Sequence, residues 1–198
     1  MEVFERKGYR KLEEWASTSQ GTTALLVEGA RRVGKSTLVE EFGHRNYRTC
    51  LTVDFSKAPN EVLEYFRDLR NDLDSFFMYL SSFYGVELHK RQSLIIFDEV
   101  QLYPKAREAI KQLVADGRYD YIETGSLVSI RENVKDILIP SEEESIRLDP
   151  MDFEEFLWAL REKPLSTAIA DSFHQRKPLP DLLHRKAMRL FREYMLVG

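Results

Sequence analysis

Apolar, β-rich runs alternate with stretches of helical period along this chain. The runs are ALLVEG from Ala24, TCLTVDF from Thr49, SLIIFDEV from Ser93, YDYIETG from Tyr119 and SIRL from Ser145. They are continuous rather than alternating, as strands covered on both faces are. The pattern therefore predicts an α/β protein with a parallel sheet and helices packed on it. Leu73, Phe76, Phe77, Leu80 and Phe83 form one helical stripe. Ala106, Ala109, Ile110, Leu113 and Val114 form a second, with Pro104 in a favourable first-turn place. Phe153, Phe156, Leu157 and Leu160 form a third, opened by Asp152 and Glu155 at capping-box spacing. After Arg161 the pattern weakens. EKPLSTAIADSFHQRKPLPD holds three prolines and reads as a linker with one short helix. Leu183, Ala187, Leu190, Phe191 and Tyr194 then make a last amphipathic stripe that needs a partner surface. The expected organisation is a main domain over 1–160, followed over 161–198 by a linker and the start of a helical lid or second domain that the chain cuts short.

Composition narrows this picture. The 198 residues are 43% hydrophobic and 31% charged, the balance of a globular protein with one substantial core. A formal net charge of −4 gives no bulk attraction to nucleic acid or anionic membranes. No apolar run approaches the ~18 residues that span a bilayer, so no membrane partner is expected. The opening MEVFERKGYRKLEEW lacks the apolar centre of a secretory signal. The single cysteine, Cys50, can form no internal disulfide, and a reducing, cytoplasmic setting is the expectation.

The chemistry concentrates in EGARRVGKSTLVEEF. Gly29, Gly34, Lys35 and Ser36 fit G-x-x-x-x-G-K-[ST] between a strand-like run and a helical one. Glycine lets the backbone turn and come close to a ligand. Successive N–H groups from Arg31 to Ser36 can line an anion nest at a helix N-terminus, within an expected nucleotide-binding set of Gly29, Ala30, Arg31, Arg32, Val33, Gly34, Lys35, Ser36 and Thr37. Lys35 supplies charge for the β- and γ-phosphates, and the Ser36 hydroxyl is a hard ligand suited to Mg²⁺. Arg31 and Arg32 could contact phosphate or a neighbouring subunit, or be solvated. Thr37 could equally pack within the first helical turn.

SLIIFDEVQ carries a buried strand out to two adjacent acids. Asp98 can hold Mg²⁺ through water, and Glu99 can orient and deprotonate a water. Neighbours on a regular strand face opposite ways, so both reach one site only if the strand ends there. Thr124 and Ser126, two apart, would share a face, where either could sense a γ-phosphate or hold water. Gln101 could position water or couple the site to a partner.

With these motifs in view, the chain resembles the predicted AAA+ ATPases of bacteria and archaea that join an N-terminal AAA domain to a C-terminal domain of unknown function. The resemblance rests on GARRVGKSTL, IIFDEVQLYP, TGSLVS and IRLDPMDFEEFLWAL. It implies a P-loop NTPase of the AAA+/ASCE type, with a five-stranded parallel sheet in the order 5-1-4-3-2, helices on both faces and a short helical C-terminal segment. It implies ATP and Mg²⁺ as ligands. Lys35 and Ser36 would bind nucleotide and metal, Asp98 metal, Glu99 would activate water, and Ser126 or Thr124 would act as sensor. The family's Gly-Arg pair before the fifth strand is missing from IPSEEESIRLDP, with Arg147 or Arg131 as substitutes. The resemblance thus implies slow ATP hydrolysis driving a conformational switch, the alternative being a nucleotide-gated binding module with negligible turnover. The expected partner is a protein, or a C-terminal domain of a longer chain. The basic tail around His174, Arg176, Lys177, His184, Arg185, Lys186, Arg189 and Arg192 leaves DNA as a weaker alternative.

Overall fold

A computed structural model describes residues 4–68, 72–126 and 142–197. Strands β1 (Ala24–Gly29), β2 (Thr49–Asp54), β3 (Ser93–Asp98), β4 (Asp120–Ser126) and β5 (Glu143–Arg147) form one sheet in the order β2-β3-β4-β1-β5. Every pairing is parallel. This is the order implied by the resemblance, and it sets β4 between the strand that ends in the glycine loop and the strand that ends in the acids. Register aligns Leu25 with Ile122, Ile96 with Ile122, and Asp54 with Asp98. The fifth strand begins at Glu143, two residues before the apolar run that announces it.

Both faces of the sheet are covered, which is why its strands read as unbroken apolar runs. Helices α1 (Gly8–Ser19) and α2 (Lys35–Asn46) bring Leu12, Trp15, Leu38, Val39 and Phe42 against Leu25, Val27, Ile96 and Ile122. On the other face lie α3 (Asn60–Asp68), α4 (Leu73–Tyr84) and α5 (Pro104–Asp116). They seat Phe66, Phe76, Leu80, Ile110 and Leu113 against Leu26, Val53, Ile95 and Phe97. Each such side chain contributes about 1.5–3 kcal/mol on burial. Asp72 caps α4 by accepting from the N–H groups of Asp74 and Ser75. Of the α4 stripe, Phe76, Phe77 and Leu80 are buried but Phe83 is exposed; Tyr84, one position on, packs against the core. Cys50 on β2 has its thiol pushed up to about 12 by burial, so it stays protonated.

The chain forms two compact units, one spanning 8–149 with the whole sheet, the other joining residues 4–7 to 150–197. The division falls before Pro150, not after Arg161 as the change in composition suggests. The second unit contains α6 (Phe153–Ala159), α7 (Lys163–His174) and α8 (Asp181–Val197). Asp152 and Glu155 form the expected capping box on α6. Its core is Leu157, Leu165, Ala187 and Leu190, so the last amphipathic stripe finds a partner surface here. Residues 163–174, read as mostly linker, form a 12-residue helix. The reason is positional: Pro164 lies in its first turn, where a missing N–H costs nothing. Pro178 and Pro180 fall between helices.

Candidate functional site

The loop between β1 and α2 occupies the carboxyl edge of the sheet, where open α/β folds gather ligands. Gly34 has φ +91° and Arg32 φ +66°, two left-handed residues within three positions, the kind of turn that points successive N–H groups inward. Gly29 is required for a different reason. A Cβ there would stand 2.2 Å from the Leu148 carbonyl oxygen. The N-cap of α2 is Gly34, which has no side chain to bond the first-turn N–H groups, and helix starts of this kind can accept an anion. Ala30, Arg31 and Arg32 are exposed, while Val33, Ser36 and Thr37 are half-buried. Lys35 is only 4% exposed. Its Nζ donates to the Ala30 carbonyl at 2.8 Å and the Gly29 carbonyl at 3.3 Å. Burial lowers its pKa, the Glu99 and Asp98 carboxylates oppose that, and Arg31 adds to it. Both acids therefore act on the lysine's charge.

All six residues of β3 are buried, Asp98 included. Asp98 Oδ1 accepts from the Ser36 hydroxyl at 2.8 Å and from the Thr124 hydroxyl. Thr124 Oγ1 in turn accepts from the Glu99 N–H at 3.2 Å. Three segments of chain thus meet at one carboxylate. Glu99 itself has φ +55°, and the chain passes at once into a tight turn, Val100–Leu102, before Pro104 opens α5. That left-handed step breaks the strand's alternation. It is how two neighbouring acids come to serve one edge. Thr124 and Ser126 are both buried at the end of β4. Gln101, 2% exposed, donates from Nε2 to Glu99 Oε2 and accepts from the Ser126 N–H at 3.3 Å.

A family model for the AAA domain matches residues 21–157, well over half of the chain. The chain belongs to the AAA domain family. No curated protein matches it in sequence. Membership points to nucleotide binding and to the P-loop ATPase class in general. Other features of this AAA domain stand apart from the loop and the acid pair. Arg147, at the end of β5, is exposed and bound to Asp149 at 2.7 Å; Arg131 lies outside the described residues. Asp54 ends β2 level with Asp98. Burial works to raise its pKa, but the Lys57 ammonium and the Ser56 donors hold it below the ordinary carboxylate value. Its signal lies in TCLTVDF, where Asp54 closes the apolar strand as Asp98 closes β3 in SLIIFDEV. No described helix is long and apolar enough to cross a membrane.

Proposed function

We propose that this AAA domain binds ATP with Mg²⁺, hydrolyses it slowly, and uses the reaction to switch conformation. The observation that carries the reading is the Ser36–Asp98 hydrogen bond of 2.8 Å. It brings the hydroxyl of the loop and the acid of the strand to one point beside a buried ammonium. The donor set fits a hard cation. Groups of three or more His, Cys, Asp or Glu side chains placed for a metal do not occur among the described residues. Mg²⁺ needs none, since it keeps waters and is held by one or two protein oxygens plus substrate phosphates. Ser36 and Asp98 would hold it, and it would neutralise charge on the β- and γ-oxygens.

The remaining roles follow from position. The N–H groups from Gly29 to Thr37 and the Lys35 ammonium bind the phosphates. The exposed Arg31 and Arg32 flank them. Glu99 takes the proton from the attacking water. Thr124, bonded to Asp98 and to the Glu99 backbone, fixes the relation of metal acid to base, and Ser126 completes the sensing edge. With Arg147 tied to Asp149, no arginine among the described residues is assigned to the γ-phosphate. An absent arginine lowers turnover by about 10³-fold or more, hence the slow rate.

The test is magnesium-dependent nucleotide binding and phosphate release by wild type, Lys35→Ala and Glu99→Gln. Lys35→Ala is expected to lose nucleotide binding. Glu99→Gln is expected to bind normally and to release phosphate about 10²- to 10⁴-fold more slowly. Folded wild-type protein that ignores nucleotide in the presence of magnesium overturns the proposal. Tight binding with equal, background phosphate release from wild type and Glu99→Gln reduces the protein to a nucleotide-gated switch.

A further inference from the structure

We propose that Gln101 is a positioning residue, a strut that aims the Glu99 carboxylate by tying it to the end of β4. The inference rests on the ATPase reading above. Glu99 has a left-handed backbone that only glycine, and to a lesser degree asparagine or aspartate, adopts cheaply. Such a residue persists when its surroundings over-determine it. Here two anchors do so. The Thr124 hydroxyl receives its backbone N–H, and the Gln101 amide grips its carboxylate. Both lead to β4, one at Thr124 and the other through the Ser126 N–H.

The chemistry demands a glutamine amide. A carboxylate only accepts, so Nε2 must face Glu99; a backbone N–H only donates, so Oε1 must face Ser126. The two ends of the amide are therefore assigned by their partners rather than by shape. Glutamate would keep the acceptor toward Ser126 and lose the donor toward Glu99. Alanine would lose both. Because Gln101 is buried, its bonds act in a low-dielectric setting, and a water filling its place would not be held by the chain as the amide is. With Oε2 occupied, Oε1 of Glu99 is the oxygen left to take a proton from water. An untethered Glu99 would spread that oxygen over several rotamers. Its distance from the attacking water would then no longer be fixed, which a reaction relying on positioning tolerates poorly.

The experiment compares wild type, Gln101→Ala, Gln101→Glu, Glu99→Gln and the double variant Glu99→Gln/Gln101→Ala. Gln101→Ala is expected to lower kcat about 10- to 100-fold while ATP affinity stays within about twofold of wild type, because no phosphate contact is touched. Gln101→Glu should fall at least as far. Adding Gln101→Ala to Glu99→Gln should cost nothing more, since the strut then has no base to aim. Independently of turnover, hydrogen exchange at the Ser126 amide should speed up in Gln101→Ala and stay slow in Gln101→Glu. The strut is overturned if Gln101→Ala hydrolyses ATP like wild type while Glu99→Gln collapses. It is also overturned if kcat, affinity and melting temperature fall together, or if Ser126 exchange is unmoved. Wild type that releases no phosphate at all sinks the ATPase reading, and this role with it. The Ser126 exchange rates then still report whether the tether exists.

Discussion

Glu123 and Thr124 are neighbours on β4, both fully buried, and they point to opposite faces of the sheet. On the α2 face, the Thr124 hydroxyl joins Ser36, Asp98 and the Glu99 N–H in a connected group with no fully buried side-chain atom left unbonded. On the α5 face, Arg107 forks onto Glu143, Nε to Oε2 at 3.1 Å and a terminal nitrogen to Oε1 at 2.6 Å, with both side chains 3% exposed. Beside that pair sits Glu123, whose carboxyl oxygens receive no donor from the described residues and meet Glu143 only by sharing a proton with it. Burial first, then the hydrogen bond to Glu143 and the charge of that carboxylate, hold Glu123 well above the usual carboxylate range, with Arg107 pulling the other way. One arginine is thus bonded to Glu143 alone, and burial favours the protonated form of Glu123 beside it. The difference is one of place. The first cluster lies where strands end and a loop can bring a ligand. The second lies in mid-strand beneath a helix, where it can affect stability but not chemistry.

The strongest break of this contrast is Arg107→Met. It strands the Glu143 charge in the interior, and losing one partner of a buried ion pair costs about 3–5 kcal/mol. Urea unfolding should show that loss, while nucleotide affinity per folded molecule stays unchanged. A loss under about 1 kcal/mol, the size of an exposed pair, would show that the bridge is not sealed from water. Thr124→Val comes next. It leaves Asp98 and the Glu99 N–H short of a partner in a buried setting, at about 1–3 kcal/mol. Unlike Arg107→Met, it should also slow phosphate release in protein that remains folded, and Thr124→Ser should restore both. If the valine variant melts lower but turns over normally, the α2-face cluster is structural like its counterpart.

These two clusters also differ in how far the chain's residue order reveals them. The α2-face site is written in contiguous stretches. GARRVGKST is a loop and a helix start, and the acid at the end of an apolar strand marks its own edge. A parallel sheet then brings strand ends together whatever lies between them, so Asp98 and Thr124 meet although they are 26 residues apart. The strand order needed the family resemblance, because apolar runs do not say which neighbours they choose. The α5-face cluster follows no such rule. Glu123 sits inside a run that reads as apolar strand. Arg107 is flanked by the α5 stripe rather than belonging to it, and Glu143 precedes the run that announces β5. Their meeting depends on the angle at which α5 crosses the sheet, a packing quantity with no local code. The helix over Lys163–His174 was hidden for a simpler reason. Three prolines and weak periodicity leave room there for only one short helix, yet Pro164 stands in the first turn, where it starts a helix rather than breaking one.

The finest test of the contrast is Glu123→Gln, followed as a function of pH. In the folded protein the Glu123 carboxyl is pushed well above its ordinary range by burial, then by its hydrogen bond to Glu143 and that acid's charge, against the pull of Arg107. In the unfolded chain it ionises near its ordinary value of about 4.3. Above that value the folded state binds more protons than the unfolded one, so the contribution of Glu123 to stability declines as pH rises toward the folded-state pKa. The amide cannot ionise and removes that decline. Near pH 4 the substitution exchanges one neutral group for another of nearly the same shape, and its effect is the smallest of the three. Thermal melts from pH 5 to pH 8 should then show the variant drawing steadily ahead of wild type. A variant that is less stable by the same amount at every pH would mean that Glu123 is charged and shares Arg107 with Glu143. The two faces of β4 would then differ only in which acid meets the loop.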